Sequence, residues 1–167
     1  MSDTHAHFGL EWSDREQALG RIMRDSRCHT DIFNRVFGKL LGQGAHRMVF
    51  EYTPAPKKWV VKVDVGNRNA NIMEEETWAH VEYTKMAKWF APVAELSHGG
   101  RLILQRRCVM VTDKAKYPKK VPEFFTDLKY KNWGMLEGRF VCLDYANSLA
   151  MTKGLFTGKL QTANWWE

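Results

Sequence analysis

Gly42-Gln43-Gly44-Ala45-His46-Arg47-Met48-Val49-Phe50-Glu51-Tyr52 leads through Pro54-Ala55-Pro56-Lys57 into Trp59-Val60-Val61-Lys62-Val63-Asp64. The two glycines separate short apolar runs. Arg47–Tyr52 alternates apolar and polar side chains, the period of a half-buried strand. The Pro-Ala-Pro-Lys step is a turn, because proline fixes φ and removes a donor. Trp59–Asp64 is β-branched and nearly continuous in apolar character, which predicts a third strand. A glycine-containing turn between two strands and a proline turn before a third point to a sheet.

Working outward, residues 71–90 carry Ile72, Thr77, Trp78, Val81 and Met86 near one side. That spacing predicts a helix ended by Pro92. Val93–Leu96 and Arg101–Gln105 flank Ser97-His98-Gly99-Gly100 as a hairpin. Residues 113–122 hold four lysines and two prolines without periodicity and read as a basic loop. Glu137-Gly138-Arg139 reads as a turn and Phe140–Leu143 as a short buried strand. Upstream, Ser13-Asp14-Arg15-Glu16 is a capping box. It predicts a helix over 14–25, and a second short helix starts after Thr30. The fold expected is α+β: a twisted antiparallel sheet of about five strands with one main helix packed on it.

The chain has 167 residues, 44% of them hydrophobic and 26% charged. That suits one globular domain and excludes disorder, collagen-like repeats and a coiled coil. Phe140–Leu143 and Cys108–Val111 are the longest unbroken apolar runs. A membrane helix needs about 20 such residues, so no membrane partner is expected. The start, Met-Ser-Asp-Thr-His-Ala-His, has no basic-then-apolar leader, which predicts a cytoplasmic protein. Cys28, Cys108 and Cys142 are odd in number and widely spaced. They form neither a disulfide framework nor a zinc pattern, and read as reduced thiols. His29, His46, His80 and His98 show no metal spacing either, and His5-x-His7 reads as part of a terminal tail. A net charge of +6 favours anionic partners: nucleotides, nucleic acid or acidic proteins. Seven tryptophans make the chain aromatic-rich, with Trp12, Trp165 and Trp166 near its ends. Trp165-Trp166 reads either as a segment packed back on the core or as an exposed anchor for a partner.

Four features carry chemistry. Gly42-x-Gly44-x-x-Arg47-x-Val49 leaves backbone open to phosphate oxygens, although two glycines also serve a plain hairpin turn. Lys62 sits inside an apolar strand, where an ammonium is costly without a partner. It is either an edge-strand lysine reaching to water or a phosphate ligand. Glu74-Glu75-Glu76 lies early in the next helix, where acids complement the helix dipole and where one of them can pair with Lys62. Asp127-Leu128-Lys129-Tyr130-Lys131-Asn132 is followed by Asp144-Tyr145-Ala146 after a buried strand. Two acids and an amide so arranged suit one proton acceptor and two ligands for Mg²⁺, which takes one or two carboxylates plus phosphate oxygens and water.

In this order the features resemble the protein-kinase-like superfamily. Its series is a Gly-rich loop, a strand lysine, a helix glutamate, an Asp-Leu-Lys-x-x-Asn loop and an Asp-Phe-Gly step. The match covers residues 37–146. Asn71-x-x-Glu74-x-x-x-Trp78, Asn132-Trp133-Gly134 and Leu143-Asp144-Tyr145-Ala146 are similar to small divergent kinase-like proteins of phages and bacteria. The resemblance implies that Gly42, Gly44 and Arg47 cover ATP phosphates and that Lys62 binds them. Glu74 would orient Lys62, with Glu75 as the second choice. Asp127 would orient an acceptor hydroxyl, Asn132 and Asp144 would hold Mg²⁺, and backbone near Gln105–Cys108 would meet adenine. It also implies one minimal domain: an N-terminal helical extension (1–36), a small lobe (37–107) and a reduced second lobe (108–167).

The departures are specific. Arg47 stands in place of a third glycine. Phe125-Thr126 precedes Asp127 where the family has His-Arg, and Ala146 replaces the last glycine of the metal step. Only residues 147–167 follow Ala146, so there is no room for the helical lobe that grips a peptide. Two functional readings result. One is a minimal ATP- and Mg-dependent phosphotransferase of unknown acceptor. The other is an inactive kinase-derived binding module, for example a phage protein that binds and inhibits a host protein. A third, nucleic-acid binding, uses Lys114, Lys116, Lys119, Lys120, Lys129 and Lys131, which also read as a solvated loop.

Overall fold

The computed structural model describes residues 35–65, 69–149 and 158–167. The expected helices over 14–25 and after Thr30, and Trp12 and Cys28, lie outside these residues. The fold is mixed α/β: a mainly antiparallel five-stranded sheet, two smaller sheets and one α-helix of any length among the described residues. No helix among the described residues is long and apolar enough to cross a membrane. The chain divides into two compact units. The first takes residues up to Asn71 together with Ala94–Gln105, and the second takes Ile72–Val93 with Arg106–Glu167.

The large sheet has the order β1-β2-β3-β5-β4, from β1 (Phe37–Gln43), β2 (Arg47–Tyr52), β3 (Trp59–Asp64), β4 (Val93–Leu96) and β5 (Leu102–Arg106). β1 and β2 form the glycine-containing hairpin, with Gly42 opposite Val49 and Gln43 opposite Met48. The turn closes through the Gly44 N–H donating to the Arg47 carbonyl at 2.8 Å. β2 and β3 pair in unbroken register, Val49 facing Lys62 and Phe50 facing Val61. β3 lies inside the sheet between β2 and β5, a position that suits its continuous apolar character. Val36, Phe37, Tyr52, Trp59, Val61 and Leu104 form the buried core of this unit. Phe37 meets Phe50 edge to face at 5.3 Å, a favoured arrangement of aromatic quadrupoles.

The α-helix, α1, spans Ala70–Val81, not the expected 71–90. Its start is fixed by Asp64, whose Oδ2 accepts from the Ala70 N–H at 3.1 Å. Its end comes early because Thr84 diverts the backbone. The Thr84 N–H and hydroxyl both donate to the Val81 carbonyl at 2.8 Å, and the hydroxyl accepts from the Met86 N–H. A threonine that bonds local backbone competes with helix continuation. The remaining stretch is turns and a short 3-10 segment at Ala87–Trp89.

In the second unit, β6 (Val109–Met110), β8 (Trp133–Leu136) and β9 (Arg139–Cys142) form a sheet in the order β6-β8-β9. The turn expected at Glu137–Arg139 is present. Glu137 and Gly138 both have positive φ, 51° and 80°, the pattern of a two-residue hairpin turn that favours glycine. The basic stretch 113–122 is more ordered than its sequence suggests. It contains a 3-10 turn at Lys114–Lys116 and the strand β7 (Lys120–Pro122). β7 pairs antiparallel with β10 (Leu160–Thr162), so its partner is remote in sequence and gives no local periodicity. The aromatic richness of the chain is largely spent here. Phe90 packs against Phe124, Phe125 and Tyr145, with ring centroids 5.0–5.7 Å apart.

Candidate functional site

In the first unit, Lys62 is on β3 with only 4% of its surface exposed. The alternative of an edge-strand lysine reaching water is therefore wrong: β3 is interior, and the ammonium is shielded. Lys62 also anchors the helix start, since Asn71 Nδ2 donates to its carbonyl at 3.3 Å and to that of Arg101 at 2.9 Å. Arg47 opens β2 and is buried. Gly42 and Gly44 lie on the exposed β1–β2 hairpin. Neither has a positive φ. A Cβ at Gly42 would meet nothing within 4 Å, and one at Gly44 only the Arg47 carbonyl at 3.8 Å. The fold itself does not demand glycine at either position.

The second unit brings together Glu74, Asp127, Asn132 and Asp144. The β8–β9 hairpin is the device. Asn132 stands immediately before β8 and Leu143-Asp144 immediately after β9, with Trp133 opposite Cys142. The Leu143 N–H donates to the Asn132 carbonyl at 2.7 Å, extending the ladder by one rung. Asn132 is buried, and its Nδ2 donates to Asp127 Oδ2 at 3.1 Å. The same carboxylate oxygen faces Lys129 Nζ at 3.6 Å. Asp127 Oδ1 is shielded from water and has no protein hydrogen-bond partner.

Asp127 and Asp144 line one shallow, solvent-open recess together with Tyr145, Asn147 and Ser148. Ser148 Oγ is a second shielded polar atom there without a protein partner. Asp144 itself is exposed. Its neighbour Tyr145 is fixed at three points. The ring meets Phe90 edge to face, the hydroxyl donates to the Ala91 carbonyl at 2.9 Å, and the backbone N–H donates to Glu74 Oε1 at 3.1 Å.

Glu74 is fully buried and lies beyond the first turn of α1, which holds no acid. The dipole explanation for its position is therefore replaced by the bond to Tyr145. Glu75, one position on, is only half-buried. Desolvation, and then the neighbouring Glu76 and Glu82, raise its carboxyl pKa above the ordinary value.

The sequence assigned no site role to Tyr145 or Ser148, and Lys129 figured there only in the nucleic-acid-binding or solvated lysine cluster. Tyr145 carried a signal, an aromatic after the metal-type aspartate, but the duties of its N–H and hydroxyl depend on contacts remote in sequence. The lysine cluster is partly neutralised by its own acids. Lys114 faces Glu167, Lys116 faces Asp113 and Lys129 faces Asp127. Trp165 packs back on the core and Trp166 is half exposed. Cys108 and Cys142 are free thiols.

Among the described residues no group of three or more His, Cys, Asp or Glu side chains forms a metal site of its own. Comparison with protein-family models, curated proteins and solved structures returns no match.

Proposed function

We propose that the chain is a minimal ATP- and Mg²⁺-dependent phosphotransferase with a kinase-like small lobe and a reduced second lobe. The observation that carries this reading is the hairpin-linked set Asp127, Asn132 and Asp144. One acid is hydrogen-bonded to the amide and keeps a second oxygen free of protein partners. The other acid lines the same recess and is open to solvent.

The donor set fits Mg²⁺. Asn132 donates through Nδ2, so its carbonyl oxygen would serve as one hard ligand, and the Asp144 carboxylate would serve as a second. Mg²⁺ needs few protein ligands because phosphate oxygens and water complete its shell. Bound there, it supplies charge neutralisation on the transferring phosphoryl group. Asn132 holds the Asp127 carboxylate in one orientation, and Asp127 accepts a hydrogen bond from the acceptor hydroxyl. Gly42 and Gly44 leave the hairpin backbone open to phosphate oxygens, which accounts for glycines that the fold does not demand. Lys62 and Arg47 contribute positive charge to the phosphates. Catalysis of this kind is mostly positioning and electrostatic stabilisation.

The test is thermal unfolding with and without Mg-ATP, with Asp144→Ala as control. At 100 times its dissociation constant a ligand stabilises by about 2.7 kcal/mol. For a chain of this size that raises Tm by about 5–10 °C. A magnesium-dependent rise lost in the control is the expected result. No shift at millimolar Mg-ATP overturns the reading in favour of the binding module. That second reading has its own support in apolar surface on strands β1 and β6, where Leu40, Leu41, Val109 and Met110 are exposed.

A further inference from the structure

The segment Val121–Lys129 contains the central acid of the site, yet Phe125–Leu128 has no regular secondary structure. Backbone groups in such a stretch need partners, and residues 159–167 supply them. The Glu123 N–H donates to the Lys159 carbonyl at 3.0 Å. Gln161 Nε2 donates to the Phe125 carbonyl at 2.8 Å. The Trp166 N–H donates to the Leu128 carbonyl at 3.1 Å, and the Trp166 carbonyl accepts from the Tyr130 N–H at 2.9 Å. Trp166 therefore takes the backbone bonds on both sides of Lys129, as a parallel bridge.

Its indole adds a side-chain contact. Lys129 Nζ sits 4.4 Å from the ring centroid, within the range of a cation–π attraction. The same ammonium lies 3.6 Å from Asp127 Oδ2. Trp165 secures the strap one residue earlier. Its Nε1–H donates to the Pro118 carbonyl at 2.9 Å. Its ring packs against Tyr117 and Trp133, with centroids 5.0 and 5.2 Å away.

We infer that residues 159–167 are a positioning strap for the Asp127–Asn132 loop, in which Trp166 holds Lys129 against the Asp127 carboxylate. Lys129 and Trp166 are positioning residues: they act through Asp127. The catalytic consequence rests on the phosphotransferase reading, whereas the hold on the loop does not.

The experiment therefore has two readouts on the full chain and four variants. Amide hydrogen exchange at Tyr130 reports the hold directly. Phosphate release from Mg-ATP, with kcat and nucleotide KM taken separately, reports its catalytic effect. A chain ending at Asn164 should exchange the Tyr130 amide at least tenfold faster, with the β8 and β9 amides unchanged. Trp166→Pro, which keeps the chain length but removes the N–H donated to Leu128, guards against a truncated chain that fails to fold and should show the same loosening. Trp166→Ala keeps the backbone bonds and loses the ring, so kcat should fall several-fold with KM unchanged. Trp166→Phe should restore most of the loss, because it returns an aromatic face to Lys129.

Unchanged Tyr130 exchange in both the shortened chain and Trp166→Pro overturns the strap. Unaltered kcat in Trp166→Ala overturns the role of the ring. If the full chain releases no phosphate, the phosphotransferase reading fails instead, and the exchange result alone decides the strap.

Discussion

Glu74 and Tyr145 stand 71 positions apart and are joined by a 3.1 Å hydrogen bond from the Tyr145 backbone N–H to Glu74 Oε1. The bond ties the body of α1 to the residue beside Asp144, at a depth where neither group reaches water. A buried carboxylate that accepts a backbone N–H does two things. It satisfies a donor that the turn leaves without a ladder partner, and it fixes the backbone on which Asp144 is carried. Losing one partner of such a bond costs more than the bond's net worth, because the other is left desolvated and unpaired.

Glu74→Ala should therefore destabilise the protein by about 1–3 kcal/mol, lowering Tm by roughly 3–10 °C for a chain of this size. Glu74→Gln keeps an oxygen acceptor at the same place and should lose less. Equal melting temperatures for the wild type and the alanine variant would show that the bond contributes nothing to stability.

Gly134 on β8 is held against its surroundings from three sides. A Cβ there would lie 3.0 Å from the Val109 carbonyl oxygen, 3.2 Å from Cys108 Cβ and 3.4 Å from Leu143 Cδ1. The nearest of these is backbone and cannot swing away. Gly134→Ala should cost about 1–3 kcal/mol by overpacking, seen as a lower denaturant midpoint with an unchanged slope. Gly42→Ala is the contrast: its Cβ meets open space, so stability should be unaltered while Mg-ATP binding weakens.

Glu75 gives a pH signature. Its carboxyl pKa is raised in the folded state, first by desolvation and then by Glu76 and Glu82. The folded chain thus holds its proton more tightly than the unfolded chain does. Stability then falls as pH rises from the unfolded value near 4.5 through the raised folded value, and the penalty is complete above it. Glu75→Gln should have a higher Tm than wild type at pH 7. The two should converge at about pH 3, well below the unfolded value, where the wild-type carboxyl is protonated in both states. A constant offset across that range would assign the effect to something other than ionisation.

Lys62 and Asp127 separate binding from transfer. Lys62→Ala should abolish Mg-ATP binding, read by calorimetry, and unchanged affinity would remove Lys62 from the phosphate site. Asp127→Asn should bind Mg-ATP as the wild type does while phosphoryl transfer stops. Equal turnover would take Asp127 out of the mechanism.

The parts legible in the sequence were those whose cause is local. Alternation over Arg47–Tyr52, the continuous apolar run at Trp59–Asp64, and the Gly-containing turns at 97–100 and 137–139 each announce themselves within a few residues, and each is present. The same holds for the spacing between Asn132 and Asp144, which a hairpin explains. What was hidden depends on partners far along the chain. β7 and β10 are three residues each and pair across some forty positions, with Gln161 opposite Val121. Neither has enough length to show a period. The end of α1 was missed because apolar spacing continued to Met86 while Thr84 turned the backbone away at Val81. Glu74 was legible as a candidate but not for its observed bond, since no spacing rule reaches from it to Tyr145.

Protein synthesis runs in one direction, and residues 159–167 emerge after everything they bind. The Asp127–Asn132 loop can be made, and its hairpin closed, while Leu128 and Tyr130 still bond to water. The bonds at Leu128 and Tyr130 can form only once Trp166 has been added. A product of premature termination upstream of Trp166 would carry every side chain of the candidate site and still lack the backbone bonds at Leu128 and Tyr130.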